Sequence, residues 1–133
     1  MKKVLIDSSV WIEYFNNGDK TGAVNYLIEN NTLCVNNLIL AELVPFLRHK
    51  RKDEIVSLLE AIDNIKLDID WQELSEFQYM NIRHGINNVG IPDLVILQNV
   101  MHNDLELFSL DKHFILMRNF LKFNLFRPPS VIP

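Results

Sequence analysis

The sequence predicts an α/β fold in which a parallel sheet is covered by helices on both faces. Two observations carry this. Short, wholly apolar runs such as Val4-Leu5-Ile6 and Leu33-Cys34-Val35 recur along the chain, and such runs mark strands buried on both faces. Between them lie longer stretches with apolar residues at helical spacing, so strands and helices alternate.

Each element follows in order. The first strand, 4–6, ends at Asp7. Ser8 and Ser9 are good N-caps for a short helix carrying Val10, Trp11, Ile12, Tyr14 and Phe15, which Asn16-Asn17-Gly18 stops. Thr21 is expected to cap a second helix with Val24, Leu27 and Ile28, and 33–35 forms the second strand. Asn36 or Asn37 caps a third helix bearing Leu40, Leu43, Val44 and Leu47, and Pro45 is expected to kink it. A basic turn, 48–52, precedes a helix capped by Asp53 with a stripe of Ile55, Leu58, Leu59 and Ile62.

Alternation at 65–69 predicts the third strand, and Asp70 opens a long helix to about His84. A Gly- and Asn-rich loop, 85–91, leads to Pro92, which suits a helix's first turn, and to Asp93, which complements its positive end. That helix carries Leu94, Val95, Leu97, Val100 and Met101. Leu107 and Phe108 mark a fourth strand ending near Leu110 and Asp111. A short helix with Phe114 and Ile115 follows. Residues 123–126 are expected to form a last strand before an extended tail from Pro128.

Length and composition narrow the class. A chain of 133 residues fits a single domain over 1–133. It is 48% hydrophobic and 23% charged, an ordinary globular balance. Cys34 is the one cysteine, which excludes an internal disulfide, and its apolar strand makes it a small core residue. Three apolar residues before Asp7 are too few for a signal-peptide core. No apolar run nears the roughly 18 residues that span a bilayer. The expectation is a cytoplasmic protein that does not engage membranes. The net charge of −4 argues mildly against nucleic-acid binding, but less so if carboxylates gather around divalent cations.

Parallel sheets bind ligands beyond the carboxyl ends of their strands. Asp7 and Asp111 follow strands, Asp93 starts a helix on that edge, and Glu42 lies one turn into another. Each alone has a plain explanation, since Asp7 caps a helix and Asp93 complements a dipole. Their convergence is harder to explain so. Like charges ~4 Å apart repel by about 4 kcal/mol at an effective dielectric of ~20. Gathered acids therefore share protons or hold a cation, and hard oxygen ligands favour Mg2+ or Mn2+.

Four segments carry a family likeness: Val4-Leu5-Ile6-Asp7-Ser8-Ser9-Val10-Trp11-Ile12-Glu13-Tyr14-Phe15, Leu40-Ala41-Glu42-Leu43, Gly90-Ile91-Pro92-Asp93-Leu94-Val95-Ile96, and Leu107-Phe108-Ser109-Leu110-Asp111-Lys112-His113-Phe114. In this order the sequence resembles the PIN domain, specifically the VapC-type toxin ribonucleases, over nearly its whole length. The resemblance implies a three-layer sandwich with a five-stranded parallel sheet of order 3-2-1-4-5. It implies that Asp7, Glu42, Asp93 and Asp111 hold Mg2+ or Mn2+ and form the catalytic set. Ser109 would be the supporting hydroxyl, and Ser8 would orient Asp7. It further implies endoribonuclease activity on tRNA or rRNA, a homodimer and a cognate antitoxin. The helix after Asp93 departs from the family in being bulkier where alanines are frequent.

Other residues have weaker claims. The basic run 48–52 reads as a solvated turn. Lys112 and His113 are better placed to reach an RNA phosphate, and Arg83 borders the loop before Asp93. Trp11, Tyr14 and Phe15 read as core or dimer contact. A haloacid-type phosphatase needs a second acid where Ser9 stands, and a receiver domain needs paired acids near the first strand's end; both are disfavoured. The alternative that survives is a non-catalytic PIN-like module that binds RNA or protein.

Overall fold

The computed structural model describes residues 2–19 and 22–128. Its elements run β1 (Val4–Ile6), α1 (Ser8–Asn17), α2 (Ala23–Glu29), β2 (Leu33–Val35), α3 (Asn37–His49), α4 (Asp53–Ala61), β3 (Asp63–Asn64), α5 (Trp71–Arg83), α6 (Ile91–His102), β4 (Glu106–Phe108), α7 (Lys112–Met117) and β5 (Asn124–Leu125). The five strands form one sheet of order β3-β2-β1-β4-β5, and every pairing is parallel.

The topology explains the layering. From β1 the chain steps outward to β2 and β3, then crosses back to β4 and continues to β5. Right-handed crossovers put the connecting helices on opposite faces for the two directions of travel. Packing agrees, because α3 meets α1 and α4, whereas α5 meets α6. With both faces covered, β1 and β2 are buried throughout. The core also takes Ile39, Leu43 and Leu47 from α3, and Leu107 and Phe114 from the β4 side.

Helix α6 is the spine of its face. Leu94 through Val100 are all buried, Gln98 and Asn99 included, the mark of a helix enclosed on every side. The bulky side chains that depart from small alanines therefore fill the interior. Among the described residues no helix is long and apolar enough to cross a membrane.

Several expectations need correction. The third strand is 63–64 rather than 65–69. Asp63 and Asn64 pair with Cys34 and Val35, and Ile65 N–H still reaches the Val35 carbonyl. Beyond Val35, β2 turns into α3, so residues 65–69 alternate in burial with no strand left to pair with. Asp7, not a serine, is the N-cap of α1. Lys52 is the N-cap residue of α4, and Asp53 is its first helical residue. Within α4 Val56 is buried, whereas Leu58 is 67% exposed. Pro45 does lie inside α3, as the sequence indicates. Thr21 lies outside the described residues; the Asp19 carboxylate accepts from the N–H groups of Val24 and Asn25 and caps α2 from a distance. Of the tail, Pro128 is described and the rest lies outside the described residues.

Candidate metal centre

The site is built from the carboxyl ends of the central strand β1 and its neighbour β4. Asp7 follows β1 directly, and its N–H is held by the Phe108 carbonyl at 2.9 Å, so strand pairing fixes its backbone. Its side chain is buried, with 6% of the residue exposed. One carboxylate oxygen accepts the Ser8 N–H at 2.9 Å. The other accepts the hydroxyls of Ser109 at 2.7 Å and Ser9 at 2.9 Å.

The same serines tie β4's exit to β1's exit. The Asp111 N–H donates to the Ser109 hydroxyl at 3.0 Å, and the Leu110 N–H donates to the Ser9 hydroxyl at 3.2 Å. Asp111 then caps α7 by accepting the His113 N–H at 2.9 Å. Its second contact is with the His113 imidazole, Nδ1 lying 3.2 Å from Asp111 Oδ1.

Asp93 enters from α6. Gly90 is that helix's N-cap residue and Pro92 occupies its first turn, which sets Asp93 in the first turn as well. Ligand atoms of Asp93, Asp111 and His113 all lie within 4.8 Å of one another. Glu42 comes from α3, whose N-cap Asn36 accepts the Ile39 N–H at 2.9 Å. The Ser8 hydroxyl approaches Glu42 Oε1 at 3.4 Å.

Electrostatics give the clearest sign that these groups share one space. The Asp93 carboxyl is pushed up from 3.8 to about 6, first by burial and then by the charges of Asp111, Asp7 and Glu42, with His113 opposing. Glu42 is raised as well, by burial and by Asp7, against the Ser8 hydroxyl. Acids from four separate segments thus meet at one edge. The donor set is carboxylate oxygens with one imidazole beside them, which fits a hard divalent cation. The charge repulsion at Asp93 is what such a cation relieves.

The remaining candidates divide. The Ser8 hydroxyl faces Glu42, so contact with Asp7 runs through the Ser8 backbone. Ser9, in the sequence a helix-start serine, is the hydroxyl that reaches Asp7, Ser109 and Leu110. Its signal in the sequence was position, two residues after the acid at a helix start. His113 stands beside Asp111 rather than free on the surface. Lys112 is exposed at the start of α7. Arg83 lies over the Tyr79 ring of its own helix, 5.9 Å from the centroid, with a guanidinium N–H 3.5 Å from the Tyr79 hydroxyl. The basic run 48–52 sits at the far end of α3 from Asn36. Cys34 is buried and its thiol is pushed up to about 12, chiefly by burial, so it is held as an inert core group.

Comparison with known proteins agrees with this frame. A chain of the DNA-bound VapBC complex from Salmonella typhimurium superposes with a TM-score of 0.69 at 15% identity, covering 94% of this chain and 96% of that one. VapBC2 from Rickettsia felis, bound to a promoter DNA fragment, gives 0.68 at 18% identity, covering 91% and 97%. Mycobacterium tuberculosis VapC20, described as a sarcin-ricin loop cleaving toxin, gives 0.63 at 15% identity, covering 95% and 100%. Among curated proteins no significant sequence match is found. The family model for the PIN domain matches residues 4–119, and the chain belongs to the PIN domain family.

Proposed function

We propose that this chain is a metal-dependent endoribonuclease of the VapC type, acting in the cytoplasm and silenced by a cognate antitoxin. The observation that carries the reading is the gathering of acids at the sheet's carboxyl edge, where ligand atoms of Asp93, Asp111 and His113 lie within 4.8 Å of one another and Asp7 and Glu42 act on Asp93. Like charges gathered in a half-buried pocket are costly unless a proton or a cation neutralises them, and perturbed carboxyls cluster at functional sites. Asp7, Glu42, Asp93 and Asp111 would hold Mg2+ or Mn2+. When bound, such an ion supplies Lewis acidity toward a phosphate and lowers the pKa of a water.

The chain's own groups then have distinct tasks. Asp7 is the rigid member, fixed by two serine hydroxyls and a backbone N–H. Asp93 is the member that holds a proton most readily, and a bound cation would favour its ionised form. His113 offsets charge at Asp111 when protonated. The likeness to VapBC complexes and to a toxin described as cleaving an RNA loop supports an RNA substrate and an antitoxin partner. An apolar groove of about 460 Å³, lined by Trp11, Tyr14, Phe15, Leu58 and others, supports a protein partner. Exposed Tyr79 and Ile82, three apart on α5, suit contact with a second copy in a homodimer.

The test is to incubate the purified chain with tRNA and rRNA, with and without Mn2+, and to sequence the new ends. Metal-dependent cleavage leaving 5′-phosphates is expected. Asp93→Asn is expected to lose more than the roughly 10–100-fold that removing an outer-shell partner costs. RNA ends identical between wild type and Asp93→Asn would reject the nuclease reading.

A further inference from the structure

Next to the acids lies a cleft of about 880 Å³ between α7 and β5. Ser109 and Asp111 belong to its wall, so it opens onto the acid cluster. Its size falls in the roughly 300–1,000 Å³ range of ligand sites. Its charge runs against the rest of the chain. The molecule carries −4 overall, yet the cleft is lined by Arg118, Lys122 and Arg127 and by only one acid, Asp111. Arg118 is aimed by a hydrogen bond from its Nε to the Phe123 carbonyl at 3.1 Å. Its terminal N–H groups hydrogen-bond to none of the described residues. Ile115, 63% exposed, and Phe126 add apolar surface to the same wall.

We propose that this cleft seats the RNA nucleotides flanking the phosphate at the acid cluster, and that Arg118, Lys122 and Arg127 hold their backbone. The inference rests on the nuclease reading and adds the path of the strand. A polyanion cannot approach four carboxylates from a neutral wall without repulsion, and three cations beside the site offset that repulsion. The apolar patch gives a base something to pack on, a need that backbone phosphates alone do not have. Phosphate contacts fix position rather than sequence, so the cleft sets where the strand lies.

The test measures binding of a fluorescein-labelled single-stranded RNA with phosphorothioate linkages, in Mg2+, across a salt series. Arg118→Ala, Lys122→Ala and Arg127→Ala are compared with wild type, singly and together, after melts confirm that each is folded. Each substitution is expected to weaken binding and to flatten the plot of log affinity against log salt by about 0.7. The triple variant is expected to flatten it by about 2. Lys50→Ala, in the basic run, is expected to leave the slope unchanged. Wild-type binding with all three variants matching it would overturn the cleft while leaving the nuclease reading intact. A slope that falls only with Lys50→Ala would move the RNA to the basic run and overturn it equally. Wild type that neither binds nor cuts RNA would overturn both. Normal RNA slopes in the cleft variants together with lost binding of an acidic peptide would assign the cleft to a protein partner instead.

Discussion

Helix α6 carries two polar regions that differ in one respect. In its second half, Gln98 and Asn99 are buried and every partner is present. Asn99 accepts from the Asn36 amide and donates to the Lys66 carbonyl, both at 3.0 Å. Gln98 accepts the Asp70 N–H at 3.1 Å, and donates to the Asp70 carbonyl at 3.0 Å and to Glu73 at 2.7 Å. At its first turn Asp93 faces Asp111, Asp7 and Glu42, all acceptors when ionised. The first region is matched, its amides paired with one another and with backbone groups, and the Glu73 carboxylate accepts at its rim. It joins α6 to the start of α3, to the segment after β3 and to the start of α5. The second is charged and mismatched. A satisfied polar network builds the frame, whereas an unsatisfied one at the sheet's carboxyl edge is a place for something the chain does not itself supply.

The contrast is most easily broken by exchanging the two regions' chemistry. Asn99→Ala leaves the Asn36 amide and the Lys66 carbonyl without partners, and is expected to cost about 2–4 kcal/mol, measured by urea unfolding. A cost near zero would mean the network is ornamental. At the acid end, Ser109→Ala removes a donor to Asp7 and the acceptor for the Asp111 N–H. It is expected to lower metal-dependent cleavage by about 10–100-fold with little effect on unfolding. Asp93→Asn has the opposite sign from Asn99→Ala in the metal-free protein. It removes a charge that is costly to bury and that repels its neighbours, and should stabilise by about 1 kcal/mol, once the shift is reduced for a half-buried group.

The pH dependence sharpens the same point. An Asp raised above its ordinary value binds protons more readily folded than unfolded, so its ionisation opposes folding. Across the interval from 3.8 to about 6, Asp93's contribution to metal-free stability should fall as pH rises, contrary to that of the usual salt-bridged carboxylate. Glu42, also raised, adds in the same direction. Thermal melts across that interval should show the slope in wild type and a smaller one in Asp93→Asn.

Much of this was legible in the chain. Wholly apolar triplets located β1 and β2 because strands buried on both faces leave no room for polar side chains. The acids at the ends of β1 and β4 were legible for the same reason, since a strand's exit is where a parallel sheet presents its ligands. Periodicity misplaced β3, because alternating burial at 65–69 looks like strand whether or not a neighbour remains to pair with. Ser9 was read as a cap because a helix-start serine is ordinary. Its reach to Ser109 and Leu110 depends on β1 and β4 lying side by side, which no local pattern encodes. Asp7 and Asp111 hold both readings at once, each capping a helix while facing the cluster. Caps alone would not have brought four acids together.

The central claim is that the acid cluster exists to bind a hard cation, and a thermal melt with and without Mg2+ or Mn2+ tests it most directly. A cation that binds only the folded chain adds about 2.7 kcal/mol at a hundredfold excess over its Kd, on the order of 10 °C for a domain this size. The account predicts a rise of that kind in wild type, lost in Asp7→Asn and Asp93→Asn. A melting temperature unmoved by millimolar Mg2+ and Mn2+ would contradict it.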